Sequence, residues 1–595
     1  MPLRHVRTGP GPVPQHAQQH LVRMRDGVRL ATDVYLPEAT GTTGTTEITG
    51  TTGTTGTTGT TEGDAAHLGA GPGFPAVLVR LPYDKNSRYV YFDKIAALFT
   101  ARGYAMVVQD VRGKFRSEGQ TLPFLREPDD GYDTIDWIIR QPWSDGLVGM
   151  FGDSYYGFTQ WAAVAAEHPA LRAIVPRVTT VNFNATAQSS PDEAVGRPVW
   201  LEGIEYYAHF WVDQDAHEYE PDRSLRPVIE QYEEAFRVIG ARSAWFDAVA
   251  PRYTDLLPAL GRHPFDARPV PVLHCIGWFD NIVIPHLRDY LELAARPGWD
   301  AVQYLWAGAM DHENYRLEHA PVTAENDHAT NEDALARALP DYAHPALDFF
   351  DVFLKGTRPV STLPKVKWQL GHGDWRTATA WPPPEARERT FWLSRPERAP
   401  GPLPGGTLTD APDAPDGGQS RAQWAYDPAA PVPSLAPNSF ACLQSYPDLA
   451  PVAEREDVLA FSGPVQRAPL DLAGPITLHL YVTSTAPRYD VFAKLLDLSP
   501  SGQAHVIARG EVSVRGDLAP EEVRIDLGHT GYRLRSGHRL ALTVASSDYP
   551  MFLPASGTDD NPWTTLTAKP STQTLRTGGA SPSRLTVSAL SQRGS

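Results

Sequence analysis

Between residues 75 and 178 the chain repeats one pattern, a short continuous apolar run followed by a helical stretch. The apolar runs are Pro75–Leu81, Tyr104–Gln109, Leu147–Phe151 and Leu171–Val178; Asp93–Thr100, Asp133–Arg140 and Gly157–Ala166 read as helices between them. Strands without polar alternation need cover on both faces, and parallel neighbours need a crossover, here helical. The pattern therefore restricts the fold to an α/β architecture around a mostly parallel sheet. Val270–Ile276 and Val302–Trp306 add strands of the same kind, and Asn331–Lys355 closes this part with helix.

The remaining stretches arrange themselves around that sheet. His20–Arg25 and Val28–Leu36 flank Asp26-Gly27, a strong hairpin-turn pair. Gly41–Gly63 is built mainly from Gly-Thr-Thr units, which cannot bury apolar surface. It is expected to be a disordered surface insertion whose deletion leaves activity intact. Residues 182–265 read as helical, without strand character, and carry Trp200, Tyr206, Tyr207, Phe210 and Trp211. An insertion late in such a sheet lies near the carboxyl ends of the strands, so this segment is expected to be a cap. Most of its aromatics belong to the cap's own core; Trp200, Tyr206 and Trp211 are the candidates for facing a substrate. Residues 20–181 and 266–360 form the two parts of the body. From 361 to 590 the texture changes to short alternating segments, Val366–Leu370, Thr390–Leu393, Ile476–Thr483, Asp490–Leu498, Ala504–Val514, Glu522–Leu527 and His538–Ala545, with Pro- and Gly-rich stretches between them. These predict an antiparallel β-sandwich.

The formal net charge of −17 disfavours nucleic acid or an anionic membrane as partner. Two cysteines, Cys275 and Cys442, exclude a disulfide framework and a multi-cysteine zinc site and leave a single bridge open. No apolar run follows the basic residues at the N-terminus, and no stretch approaches the ~18 apolar residues of a membrane span. A cytoplasmic enzyme is the expectation.

The chemistry centres on Gly149-Met-Phe-Gly152-Asp-Ser154-Tyr155-Tyr156-Gly157, at a strand-to-helix junction. A sharp turn there lifts a serine hydroxyl above the sheet. The segment departs from the usual G-x-S-x-G elbow, because Tyr156 stands where the second glycine belongs. A serine needs a base and the base an orienting carboxylate, in the order Ser, Asp, His in this architecture. Asp280 follows the strand Val270–Ile276, and His312 follows Val302–Trp306. Both lie at carboxyl ends, on the rim of Ser154. Asp280 could instead cap the helical run Pro285–Ala295. Asp311 is a rival acid, but adjacent loop residues face each other poorly. His274 and Cys275 read as core. For the oxyanion, the backbone N–H of Tyr155 is the first donor, and the phenol of Tyr83, after the first core strand, is the second.

With these residues placed, the chain resembles the CocE/NonD-type serine hydrolases, the family of cocaine esterase, the α-amino-acid ester hydrolases, glutaryl-cephalosporin acylases and Xaa-Pro dipeptidyl-peptidases. The shared G-x-S-Y-x-G is matched at Gly152–Gly157, P-Y-x-K at Pro82–Lys85, D-x-R-G at Asp110–Gly113, and W-x-D at Trp278–Asp280. Arg112 reads as structural. Where relatives carry a glycine-proline-tryptophan run before the histidine, this chain has Gly308-Ala-Met-Asp311. The resemblance spans roughly 20–590. It implies an α/β-hydrolase body, a helical cap and a C-terminal jelly-roll sandwich, with Trp278 and Phe279 beside the site and no metal or organic cofactor.

Three readings follow. The first is a serine esterase or amidase acting on a small acyl compound, possible as a homodimer. The second is an Xaa-Pro dipeptidyl-peptidase, for which Glu202, Glu205 or Asp213 would have to hold a substrate amine. The third is a catalytically dead ligand-binding protein.

Overall fold

The computed structural model describes residues 4–38, 73–183, 188–189, 193–254, 261–399, 403–412, 420–519, 521–579 and 582–591. The Gly41–Gly63 insertion lies outside the described residues.

A ten-stranded sheet carries the body. Its inner strands, from Val366–Gln369 across Gln303–Gly308, Val272–Gly277, Leu171–Arg177, Ser144–Asp153 and Phe74–Leu81 to Ala105–Asp110, all run parallel. Antiparallel strands close both edges: Trp375–Ala378 at one, and the hairpin of Gln18–Arg23 with Arg29–Tyr35 at the other. Gly27, at φ 92°, makes that hairpin's turn.

Helices Phe92–Ala101 and Glu332–Phe353 cover one face, packing Ile95, Phe99, Phe349 and Phe350 against Val77, Val79 and Val108. Glu127–Ile138, Ser154–Ala166 and Val283–Ala295 cover the other, through Ile135, Ile138, Trp161, Val164 and Leu293. The helix read as Asp133–Arg140 begins earlier, at Glu127, where Pro128 and three acidic residues suit a first turn.

The cap holds the helices Leu201–Phe210, Ile229–Ile239 and Ala244–Val249. It also holds two short strands that its sequence does not announce. Ala216–Tyr219 pairs with the N-terminal His5–Thr8, and Val195–Gly196 pairs with Ser513–Val514. Each is set by a distant partner and is too short for its own periodicity to show.

The C-terminal part is a β-rich jelly-roll sandwich with two short helices, Cys442–Ser445 and Ala450–Ala453; among its described strands the pairing is antiparallel except where Gly405–Thr409 lies parallel to Leu459–Ser462. Val366–Gln369, grouped by its alternation with the sandwich, extends the body's sheet instead. The two parts share one core: Ile276, Trp278, Leu305 and Trp368 of the body pack with Leu472, Ile476, Tyr532 and Leu540 of the sandwich. Trp563 packs in turn on Tyr232 and Phe246 of the cap.

Candidate active site

Strand Ser144–Asp153 turns directly into helix Ser154–Ala166. Ser154 holds the corner at φ 51°, a left-handed conformation that costs a serine about 1 kcal/mol or more. Gly152, at φ 141°, lies flat under Tyr156; a Cβ there would come within 1.9 Å of that ring. A Cβ on Gly157 would come within 2.6 Å of Thr179. The close approach of helix to sheet is thus at Gly157, which accounts for the extra residue in the motif. The Thr179 hydroxyl then donates to the Ser154 carbonyl at 2.6 Å.

Asp280 and His312 come from neighbouring parallel strands whose exits are zipped together. Trp278 N–H donates to Gly308 O, and Phe279 N–H to Met310 O. Gly277 permits this, since a Cβ there would meet Met310 O at 2.4 Å. His312 Nδ1 lies 2.8 Å from Asp280 Oδ1, and both residues are buried. Burial alone pushes the His312 imidazole down. The charge and hydrogen bond of Asp280, with smaller contributions from Glu313 and Asp153, outweigh it and hold the imidazole above its ordinary value.

Asp311 faces away from His312. Its carboxylate accepts from the N–H of Tyr315 at 3.0 Å and from that of Leu443, in the sandwich part, at 2.9 Å. Asp153 accepts from Arg177, Asn314 and Tyr342, which ties the histidine loop to the serine corner.

Tyr83 is delivered by a loop that Lys85 pins from below. Lys85 Nζ lies 3.3 Å from Asp110 and 3.5 Å from Asp33. Arg112 is bound to Asp130 at 2.6 Å and Asp26 at 2.8 Å, holding the turn beside it. Tyr83 is buried and lines the same cleft as Ser154. The Tyr155 phenol points into the body, accepting from Phe124 N–H and donating to Glu127 at 2.8 Å.

Ser154, His312 and Tyr83 border one cleft of about 900 Å³. Of the aromatics chosen from sequence, Tyr206 lines this cleft. Trp200, Trp278 and Phe279 line a second cavity of about 1000 Å³, behind Asp280 and against the sandwich. Trp211 lines neither; it packs on the Tyr155 ring at 5.5 Å beneath Lys114. Three residues of the site escape sequence reasoning. Tyr89 and Glu313 border the first cleft and are joined by a 2.8 Å hydrogen bond. Phe440, from the sandwich part, sets its ring edge-on to His312 at 5.1 Å. Glu313 directly follows His312, and that adjacency was the available signal; Phe440 had none.

Two of the cap acids are ion-paired, and Glu202 is bound through one oxygen, its Oε2 having no hydrogen-bond partner among the described residues. Glu205 pairs with Arg223 at 2.6 Å, Asp213 with His217 at 2.8 Å, and Glu202 accepts from Ser439 N–H at 2.7 Å. Cys275 and Cys442 are both free thiols. Among the described residues no helix is long and apolar enough to cross a membrane.

Comparison with known proteins gives concordant matches. Residues 69–314 match the family of X-Pro dipeptidyl-peptidases (S15 family), and residues 359–586 match the X-Pro dipeptidyl-peptidase C-terminal non-catalytic domain. Cocaine esterase of Rhodococcus sp. (strain MB1 Bresler) is 30% identical over 579 residues, covering 90% of this chain and 91% of that protein. Two solved structures share the fold. An aminopeptidase from the marine sediment archaeon Thaumarchaeota archaeon superposes with a TM-score of 0.73 at 21% identity over 98% of both chains. An α-amino acid ester hydrolase does so with a TM-score of 0.73 at 21% identity over 96% of both. With both halves matched in order and the similarity to cocaine esterase running nearly end to end, the chain belongs to the CocE/NonD family of hydrolases.

Proposed function

We propose that this protein is a serine hydrolase that cleaves an ester or amide of a small acyl compound through an acyl-Ser154 intermediate. The observation that carries the reading is one convergence. Ser154, His312 and Tyr83 border one cleft, and Asp280 is bound to His312 Nδ1 at 2.8 Å from outside it.

The steps follow from that arrangement. Ser154 Oγ attacks the acyl carbonyl while His312 Nε2 takes its proton. Asp280 accepts from His312 Nδ1, which fixes the tautomer and stabilises the imidazolium. Tyr83 O–H and Tyr155 N–H donate to the oxygen that gains charge. His312 then protonates the leaving group, and water, deprotonated by the same imidazole, releases the acyl group.

The S15 match supports a second reading, release of Xaa-Pro dipeptides. Against it stands the placing of Glu202, Glu205 and Asp213, none of which lines the cleft that holds Ser154; Glu205 and Asp213 are also paired with Arg223 and His217. A p-nitrophenyl ester assayed beside glycyl-prolyl-anilide decides between the two; faster turnover of the ester supports the first. A fluorophosphonate probe is expected to label the protein and to leave Ser154→Ala unlabelled. Labelling that survives the substitution overturns the assignment of the nucleophile.

A further inference from the structure

Two left-handed corners stand back to back behind the cleft: Ser154 at φ 51°, and Val178 at φ 35°, just past the strand Leu171–Arg177. A β-branched residue is disfavoured in that region and persists there only where its surroundings hold it. The residue after Val178 reaches the nucleophile corner. The Thr179 hydroxyl donates to the Ser154 carbonyl at 2.6 Å, and Gly157 leaves room for the Thr179 side chain.

Three N–H groups hold the Val178 turn, and two of them end on one helix. Val178 N–H donates to Cys275 O at 2.9 Å, Thr179 N–H to His286 Nδ1 at 3.2 Å, and Val181 N–H to Asp289 Oδ2 at 2.9 Å. His286 and Asp289, three residues apart, share a face of the helix Val283–Ala295. That helix sets out from Asp280: Val283 N–H donates to the Asp280 carbonyl and Ile282 N–H to Asp280 Oδ1, each at 3.2 Å. The partners of His286 also fix its tautomer. A backbone N–H can only donate, so Nδ1 accepts and Nε2 carries the hydrogen. Nε2 lies 3.3 Å from His274 Nδ1, and His274 Nε2 lies 2.8 Å from Gln303 Oε1. Both imidazoles are fully buried, and burial keeps them neutral by pushing them below the ordinary value.

We propose that His286 is a positioning residue for Ser154: its Nδ1 holds Thr179, and Thr179 holds the nucleophile corner in register with the helix that carries Asp280. Without that acceptor the Thr179 N–H, fully buried, is left unpaired, and the Val178 turn loses one of the bonds that keep it left-handed. The Thr179 hydroxyl then shifts against the Ser154 carbonyl, and the corner shifts with it. A small displacement there slows attack, because the reacting atoms must start about 3–3.5 Å apart and aligned. His286 lines neither the cleft of Ser154 nor the cavity behind Asp280, so substrate binding does not depend on it.

This inference rests on the serine-hydrolase reading, and a pair of isosteric substitutions separates the two. An asparagine puts its Oδ1 where the imidazole has Nδ1; a glutamine reaches the place of Nε2 instead. His286→Asn therefore keeps the acceptor for Thr179 N–H and drops the bond to His274, and His286→Gln does the reverse. With a p-nitrophenyl ester, His286→Gln is expected to lower kcat about ten-fold with KM little changed, and to slow labelling by a fluorophosphonate by a similar factor. His286→Asn should rescue kcat to within about two-fold of the parent, although both variants lower Tm. Thr179→Val, which removes the hydroxyl, should cost as much as His286→Gln, and the two together no more than either alone. A residue that only fills the core would give losses of kcat that follow Tm in both variants. Full kcat in His286→Gln, or an equal loss in His286→Asn, overturns the positioning role while the hydrolase reading stands. Should the glutamine variant fail to fold, a loss of kcat in His286→Asn as large as that expected of glutamine, or none in Thr179→Val, overturns it in the same way. Ester turnover that survives Ser154→Ala brings down both readings.

Discussion

His312 is held by opposing forces: burial disfavours its charged form, and Asp280 at 2.8 Å favours it more. On the proposed mechanism the imidazole must be neutral to accept the Ser154 proton, so activity should be lost as pH falls through its pKa. Because that pKa lies above the ordinary 6.5, the acid limb of kcat/KM should lie above pH 6.5 as well. Asp280→Asn removes the main stabiliser of the charged form. The limb should then shift to lower pH, while kcat falls by roughly three to four orders of magnitude from the wrong tautomer. A pH–rate profile of both proteins checks the sign. How far such a site can be read in advance depends on the residue. The nearness of Asp280 to His312, and of Ser154, His312 and Tyr83 to one cleft, was legible because each follows a strand whose apolar run is visible, and strand order does the rest. Tyr89, Glu313 and Phe440 were not, since a side chain that joins a site from a remote loop leaves no periodic trace. Trp211 was misplaced because an aromatic in a helical segment looks the same whether it faces a substrate or, as here, the Tyr155 ring.

Among the elements, the cap helix Leu201–Phe210 depends on one cation. Lys114 Nζ, fully buried, donates to the carbonyls of Phe210, Asp213 and Asp215, where the helix has run out of its own donors. Lys114→Met keeps most of the volume and removes all three bonds. It should destabilise the protein by about 2–3 kcal/mol and expose the cap to limited proteolysis before the body is cut. Strands deep in the sheet were plain from sequence because both their faces are apolar. The strands Ala216–Tyr219 and Val195–Gly196 were hidden because their partners lie at His5–Thr8 and Ser513–Val514, far away along the chain. The beginning of the helix at Glu127 was missed for a local reason: its first turn is acidic and carries Pro128, which suits a helix start but hides the apolar stripe.

At the scale of the molecule, the body and the sandwich are matched by two separate families yet share one apolar core. Heat should therefore unfold the body and the sandwich in one calorimetric transition, and a truncation that removes the sandwich should leave the body aggregated rather than merely slow. Asp311 sits on that seam. Asp311→Ala strands two buried N–H groups, those of Tyr315 and Leu443, at about 1–3 kcal/mol each, and should lower both Tm and kcat. Asp311 and His312 are neighbours in the chain that look in opposite directions, one gripping the sandwich, the other bound to Asp280 and, on the proposed mechanism, serving the reaction. A loosened grip would therefore be felt first as a sluggish imidazole, so that ester turnover becomes a sensitive gauge of how firmly the two halves are clasped, registering slippage well before any melting curve does.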